Sequence, residues 1–152
     1  PPSPREAAAV IAEGIANWPR QNMAVMGSSL GGYYASWVAQ LARCRSVMIN
    51  PAVNPARDLE KYIGEQTSWH NPEERFFFRR EYIEGLRALD TRHMTPAAPE
   101  MLLAAEGDEV LDWREMSARY PHALQIIQEG GDHALSNFEE YLPQLDEFLN
   151  LA

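Results

Sequence analysis

The chain has 152 residues, 45% hydrophobic and 23% charged, enough for one globular domain with a core of its own. Its 22 carboxylates against 13 Lys and Arg give a formal charge of -9, a sign that repels nucleic acid and anionic membrane surfaces, so neither is an expected partner. The longest apolar run, Ala7 to Ala12, falls far short of the roughly 20 residues of a membrane span. The opening Pro-Pro-Ser-Pro has no signal-peptide character, and the lone Cys44 with four histidines makes a poor metal kit. The reducing cytoplasm is the expected compartment, with no metal and no cofactor.

Helical and strand-like stretches alternate along the chain without repeats, which predicts an α/β fold built on a mainly parallel sheet. Ser3-Pro4-Arg5-Glu6 reads as a helix start, with Ser as N-cap, and Ala8, Ile11, Ile15 and Trp18 follow at helical spacing. Met23 to Met26 reads as a buried strand, then a helix from Leu30 to Arg43 with Tyr34, Trp37, Val38 and Leu41 on one face. Ser46 to Asn50 is a second strand, closed by Pro51. The spacing of Phe78, Tyr82, Leu86 and Leu89 predicts a helix over 72–90. Met101 to Ala105 and Leu124 to Gln128 are further strands, with a helix capped by Asp112 between them. A last helix carries Phe138, Tyr141, Leu142, Leu145, Phe148 and Leu149, with Ser136 as its expected N-cap.

Gly27-x-Ser29-x-Gly31 lies between a strand and a helix, where G-x-S-x-G forms a nucleophile elbow. At such a turn the chain nearly doubles back, so side chains two residues before or after the serine are expected to collide, and Gly27 and Gly31 avoid this. The helix N-terminus directs unpaired N–H groups at the substrate oxygen, and the Leu30 N–H is the expected oxyanion donor. Motifs for dinucleotide or P-loop phosphate binding are absent from this turn.

A serine nucleophile needs a base, and the base needs an orienter. Asp108 follows the third strand and His133 the fourth, giving the order Ser29, Asp108, His133; in a parallel sheet the loops after the strands share one edge. Asp112 is better spent as an N-cap, and Asp132, next to the histidine, as a loop or capping residue. His70 and His93 fall in the central segment as surface residues, and His122 precedes the fourth strand at the opposite edge.

The segments Gly27-Ser28-Ser29-Leu30-Gly31-Gly32-Tyr33-Tyr34-Ala35, Asn50-Pro51-Ala52-Val53, Gly107-Asp108-Glu109-Val110-Leu111-Asp112 and Glu129-Gly130-Gly131-Asp132-His133-Ala134 together resemble the YqiA/YcfP-like esterases, small α/β-hydrolases of bacteria. The resemblance runs from about Ser3 to Leu151. It implies an α/β-hydrolase fold and hydrolysis of a carboxylic ester or thioester, with Ser29, Asp108 and His133 as nucleophile, orienter and base, and no cofactor. Members of that family open with a strand ending in a Leu-His-Gly-Phe-like loop, then a helix and a strand, ahead of the helix that begins here at Ser3. The chain is therefore expected to be part of a longer protein. That loop would supply a second oxyanion donor, whose loss typically costs about 10²–10³ in rate. Its strand would cover the elbow strand, which is otherwise expected to be a bare apolar edge.

Residues 62–92 form a lid-like insertion in this reading of a single hydrolase domain, 1–152. Trp69, Phe76, Phe77, Phe78, Tyr82 and Ile83 either line an acyl pocket there or pack onto the sheet. Arg75, Arg79, Arg80, Arg87 and Arg92 are balanced by Glu73, Glu74, Glu81, Glu84 and Asp90, a mixed-charge face rather than a site for a coenzyme A phosphate. Tyr34 is expected in the core and Tyr33 at the pocket border. The expected partner is a small acyl ester or thioester. A catalytically silent binding domain and an acyltransferase using the same three residues remain alternatives, and the oligomeric state stays open.

Overall fold

The computed structural model describes residues 3–68, 71 and 73–150; Trp69 and His70, singled out above, lie outside them, as does Pro72. In chain order the elements are α1 (Pro4–Gly14), β1 (Ala24–Ser28), α2 (Leu30–Ala42), β2 (Arg45–Ile49), α3 (Pro55–Asp58), β3 (Gly64–Thr67), β4 (Arg75–Phe78), α4 (Arg80–Arg87), β5 (Glu100–Ala105), α5 (Trp113–Arg119), β6 (Leu124–Gln128) and α6 (Leu142–Leu149). The chain divides into two compact units, Pro1–Trp18 with Asn54–Asp90, and Pro19–Val53 with Thr91–Ala152.

In the first unit α1 starts as the sequence predicts: Ser3 Oγ accepts the Glu6 N–H and Pro4 takes the first turn, where its missing N–H costs nothing. The helix ends at Gly14, so the apolar stripe stops at Ile15 and Trp18 is 55% exposed. The helix predicted over 72–90 is instead a hairpin followed by a shorter helix. β3 and β4 pair antiparallel, with Gly64 opposite Phe78 and Thr67 opposite Arg75. Consecutive bulky rings favour a pleated strand, and β4 alternates as a strand does, with Phe77 exposed and Phe78 buried. The helical spacing holds only over α4, where Ile83 and Leu86 are buried. Its arginines do meet carboxylates, Arg87 with Glu84 and Arg79 with Glu81, on a solvated face.

The second unit is a four-stranded sheet in the order β1-β2-β5-β6, every neighbouring pair parallel. Successive side chains of β2 and β5 face opposite layers, so strands buried on both sides must read as unbroken apolar runs. Val47, Ile49, Met101, Leu103 and Ala105 pack with Leu135 and Leu145 on one face. Met48, Leu102 and Ala104 pack with Met116 and Tyr120 of the α5 segment on the other. Among the described residues β1 is an edge strand, with Met26 48% exposed.

On α2 the buried face is Ala35, Val38, Ala39 and Ala42, while Leu41 is 44% exposed. The predicted stripe of large side chains is thus displaced around the helix. Tyr33 is buried and Tyr34 only half-buried, the reverse of the expectation; burial pushes the Tyr34 hydroxyl's pKa up. The last helix begins at Leu142, after a 3-10 turn at Phe138–Tyr141, and Ser136 does not cap it. Pro143 explains the late start, since proline is tolerated only in a first helical turn. At its far end the Arg45 guanidinium donates to the Phe148 carbonyl at 2.7 Å and lies over the Phe148 ring, a cation where the helix dipole favours one. Cys44 is buried and unbridged. No helix of the described residues is long and apolar enough to cross a membrane.

Candidate active site

Parallel pairing aligns the ends of the strands. Ser28 lies opposite Ile49, Ile49 opposite Leu103, and Ala105 opposite Gln128, so the loops after β1, β2, β5 and β6 open at one edge. The ladder continues into them. The Ser29 N–H donates to Ile49 O, Asn50 N–H to Leu103 O, and Glu106 N–H to Gln128 O, each at 2.9 Å.

Ser29 joins β1 to α2 with φ 54° and ψ -123°, a left-handed φ that a non-glycine residue holds only when its surroundings enforce it. Here the enforcement is backbone on both sides. Beyond the bond to Ile49, the Ser29 carbonyl accepts the N–H groups of Gly32 at 3.0 Å and Ala52 at 2.9 Å. The elbow glycines are not equivalent. A Cβ on Gly27 would lie 2.1 Å from the Gly31 carbonyl oxygen, whereas one on Gly31 would meet nothing within 4 Å. The two-sided collision expected from the motif is therefore one-sided, because Gly31 contributes its carbonyl to the contact rather than its α-carbon. Gly32, which the motif does not require, is the second crowded position, with Pro51 Cβ 2.7 Å from where its own Cβ would be.

Gly27→Ala is accordingly expected to cost about 3 kcal/mol or more, because the obstructing atoms are backbone. Gly31→Ala, in an exposed first turn of helix, is expected to stabilise by about 0.5–1 kcal/mol. Paired urea melts check this; equal destabilisation by the two would show that the crowding is wrongly assigned.

Three side chains named from the sequence come together here. His133 Nε2 lies 2.9 Å from Ser29 Oγ, and His133 Nδ1 lies 2.8 Å from Asp108 Oδ2. The Asp108 side chain is fully buried, and its other oxygen accepts the N–H groups of Val110 at 2.8 Å and Leu111 at 2.9 Å. An ionised carboxylate only accepts, so the ring tautomer that donates to one from Nδ1 is the tautomer whose Nε2 can accept from the serine hydroxyl. Leu30 opens α2, and a helix's first N–H groups lack partners within the helix, so its N–H is available to an anionic oxygen beside Ser29.

Asp132 is directed elsewhere. It accepts the Ser136 N–H at 2.9 Å and the Ser136 hydroxyl at 2.6 Å, and the hydroxyl's bond is the main cause holding its carboxyl below the usual range. Asp112 accepts the Arg114 N–H as the α5 N-cap. His93 and His122 are exposed, and His122 precedes β6 at the opposite edge.

Sequence reasoning gave no role to Asn50. This residue is fully buried with φ 39°. Its side-chain amide donates to the carbonyls of Asp132 and His133, each at 3.0 Å, and its Oδ1 accepts the Ala105 N–H at 2.8 Å. One side chain thereby ties the end of β2 to the end of β5 and to the loop carrying the histidine. Glu109 adds a further tie, accepting the His133 N–H at 3.0 Å. The available signal for Asn50 was an asparagine ending an apolar strand before a proline, a residue type that tolerates left-handed backbone and can satisfy several polar groups at once.

Solved structures of the same architecture include the alpha/beta hydrolase domain-containing protein 10 from mouse, at 18% identity and a TM-score of 0.69, covering 97% of this chain and 70% of that one. A structure of LipS and LipT, two metagenome-derived lipolytic enzymes, matches at 15% identity and a TM-score of 0.70, covering 99% and 74%. Est1E from Butyrivibrio proteoclasticus matches at 15% identity and a TM-score of 0.61, covering 84% and 58%. The chain spans between 58% and 76% of the length of such structures. At these identities the likeness is one of fold, and the fold is that of the α/β-hydrolases, a mostly parallel sheet flanked by helices. Residues 1–150 match the family described as "Uncharacterised protein family (UPF0227)". That match spans all four of the segments in which the sequence resembles the YqiA/YcfP-like proteins, and the chain belongs to this family.

Proposed function

We propose that the protein is a serine hydrolase of small carboxylic esters or thioesters, with Ser29 as nucleophile, His133 as general base and acid, and Asp108 as its orienter. The observation that carries this reading is the continuous hydrogen-bonded line from Ser29 Oγ through the His133 ring to a buried Asp108. Ser29 Oγ attacks the acyl carbonyl carbon as its proton passes to His133 Nε2. The resulting oxyanion accepts from the Leu30 N–H. Collapse breaks the bond to the leaving alcohol or thiol, which takes the proton from Nε2 and departs. Water then adds to the acyl-Ser29 ester with His133 again as base, the acid leaves, and Ser29 regains its proton. Asp108 stays ionised throughout and stabilises the imidazolium.

The hydrolase and esterase names carried by proteins of the same fold agree with this reading. In it, residues 1–152 belong to one hydrolase domain and 62–92 are its lid-like insertion. The lone buried cysteine suits a reducing compartment such as the cytoplasm.

A fluorophosphonate probe reacts only with an activated serine, which makes it the direct test. Peptide mass spectrometry is expected to find the label on Ser29 in the parent chain and to lose it in His133→Ala. A folded chain that takes up no label would overturn the hydrolase assignment in favour of a silent binding domain.

A further inference from the structure

The amino edge of the sheet, opposite the site just described, holds an open cavity of about 350 Å³. Glu100 opens β5 there, and His122 comes just before β6. The six residues of β5, at ~3.3 Å each, put this cavity roughly 20 Å from the edge that carries Ser29. Its walls include Arg92, His93, Arg119 and His122, with Glu100 as the carboxylate among the lining residues. In a chain of net charge -9, two of the four histidines and two arginines converge on one concavity.

The cationic side is fixed in place. Arg119 Nη2 donates to Thr91 Oγ1 at 2.7 Å, and its guanidinium lies over the Tyr120 ring at 4.8 Å. Thr91 is itself buried and hydrogen-bonded to Ser36 Oγ at 3.0 Å. The loop carrying Arg92 and His93 is held again at Thr95, whose carbonyl accepts from Gln40 at 3.0 Å. A guanidinium with five donors and a rigid mounting is suited to bidentate capture of a planar or tetrahedral oxyanion.

We propose that this cavity binds the phosphate group of a small phosphorylated metabolite. Glu100 decides between oxyanions. A carboxylate among cationic donors repels a fully deprotonated anion but accepts a hydrogen bond from one that keeps an O–H, so phosphate, and below about pH 6 a phosphate monoester in its singly protonated form, is favoured over sulfate. Burial raises the Glu100 carboxyl's pKa, and the neighbouring Arg119 and His122 pull it back down. The volume exceeds a bare phosphate and reaches the lower end of small-ligand sites, which leaves room for a sugar-sized remainder.

The test is a titration at about pH 5.5, where a phosphate monoester still keeps one O–H, followed by the ring resonances of the four histidines, with inorganic phosphate, sodium sulfate and glucose 6-phosphate as probes at matched ionic strength. Phosphate is expected to shift His93 and His122 saturably, with Kd near ~1 mM, and to leave His133 unmoved. Sulfate should bind about tenfold more weakly, an advantage that Glu100→Gln removes, and glucose 6-phosphate more tightly than phosphate. Arg92→Gln and His122→Gln, both at exposed positions, should each weaken phosphate by about tenfold when His93 is followed. Absence of saturation up to ~50 mM, or shifts that sulfate reproduces and the variants do not alter, would overturn the proposal. Glucose 6-phosphate binding no tighter than phosphate would overturn the metabolite and leave only an ion site. Because the cavity shares no residue with the Ser29 site, either assignment can fail without the other.

Discussion

Ser29→Ala is expected to lower kcat/KM for p-nitrophenyl butyrate by about 10⁴–10⁶ relative to the parent chain, or roughly 5–8 kcal/mol of transition-state stabilisation. The size follows from the role proposed for the hydroxyl: in that mechanism, without it there is neither proton transfer to His133 nor an acyl-enzyme, and only water attack beside the Leu30 N–H remains. The fold has little reason to respond. Ser29 Oγ makes no capping bond to α2, and alanine keeps the same Cβ in the same left-handed turn. The melting temperature should therefore stay within about 2 °C. Adding His133→Ala on top should cost little more, because the two groups act as a unit. Full activity in Ser29→Ala would falsify the nucleophile assignment, whatever the distances.

Asn50→Ala is expected to be the most damaging single change away from the reacting atoms. It removes three hydrogen bonds at a fully buried position and strands the His133 carbonyl and the Ala105 N–H, at about 1–3 kcal/mol apiece before relaxation, while the Asp132 carbonyl keeps the Leu135 N–H. A net loss of about 3–5 kcal/mol is the reasonable expectation, read from urea unfolding. At low temperature, where the variant is still folded, the consequence should pass to the chemistry. The His133 carbonyl loses its tie to β2, and a ring displaced by about 1 Å costs on the order of 10²-fold in kcat. KM, set by substrate contacts elsewhere, should move much less. Asn50→Gly separates the causes, since glycine accepts φ 39° without strain yet makes none of the three bonds. A glycine variant as stable and active as the parent would show that backbone conformation, not the amide, is what Asn50 provides.

Much of the parallel sheet was legible because its physics is local and repetitive. Strands buried on both faces must be apolar throughout, and Val47-Met48-Ile49 and Met101 to Ala105 are; the glycine-bounded turns then place Ser29 after β1, Asp108 after β5 and His133 after β6. The errors arose where two periodicities overlap or a single residue interrupts one. Phe78, Tyr82 and Leu86 carry a helical spacing that is real only beyond Arg79, while the rings just before it alternate as a strand. Pro143 interrupts the last stripe, yet the stripe's spacing drew the predicted helix start back to Ser136, whose hydroxyl serves Asp132 instead. Asn50 was hard to single out for a different reason. An uncharged amide advertises no chemistry, and its three partners are backbone groups 55, 82 and 83 residues away along the chain.

The adjacency of β2 and β5 has a consequence for how the chain can vary. These two central strands are separated by residues 50 through 99, whereas β5 and β6 are separated only by 106 through 123. Ring closure over the longer stretch costs more by only about 0.9 kcal/mol, since the entropy grows with the logarithm of length. Inserting a further dozen residues there would add a few tenths of a kcal/mol, provided that the two ends stay anchored. The sheet thus holds its register almost indifferently to what is spliced between its middle strands, so that stretch can lengthen or shorten while the framework around it is kept.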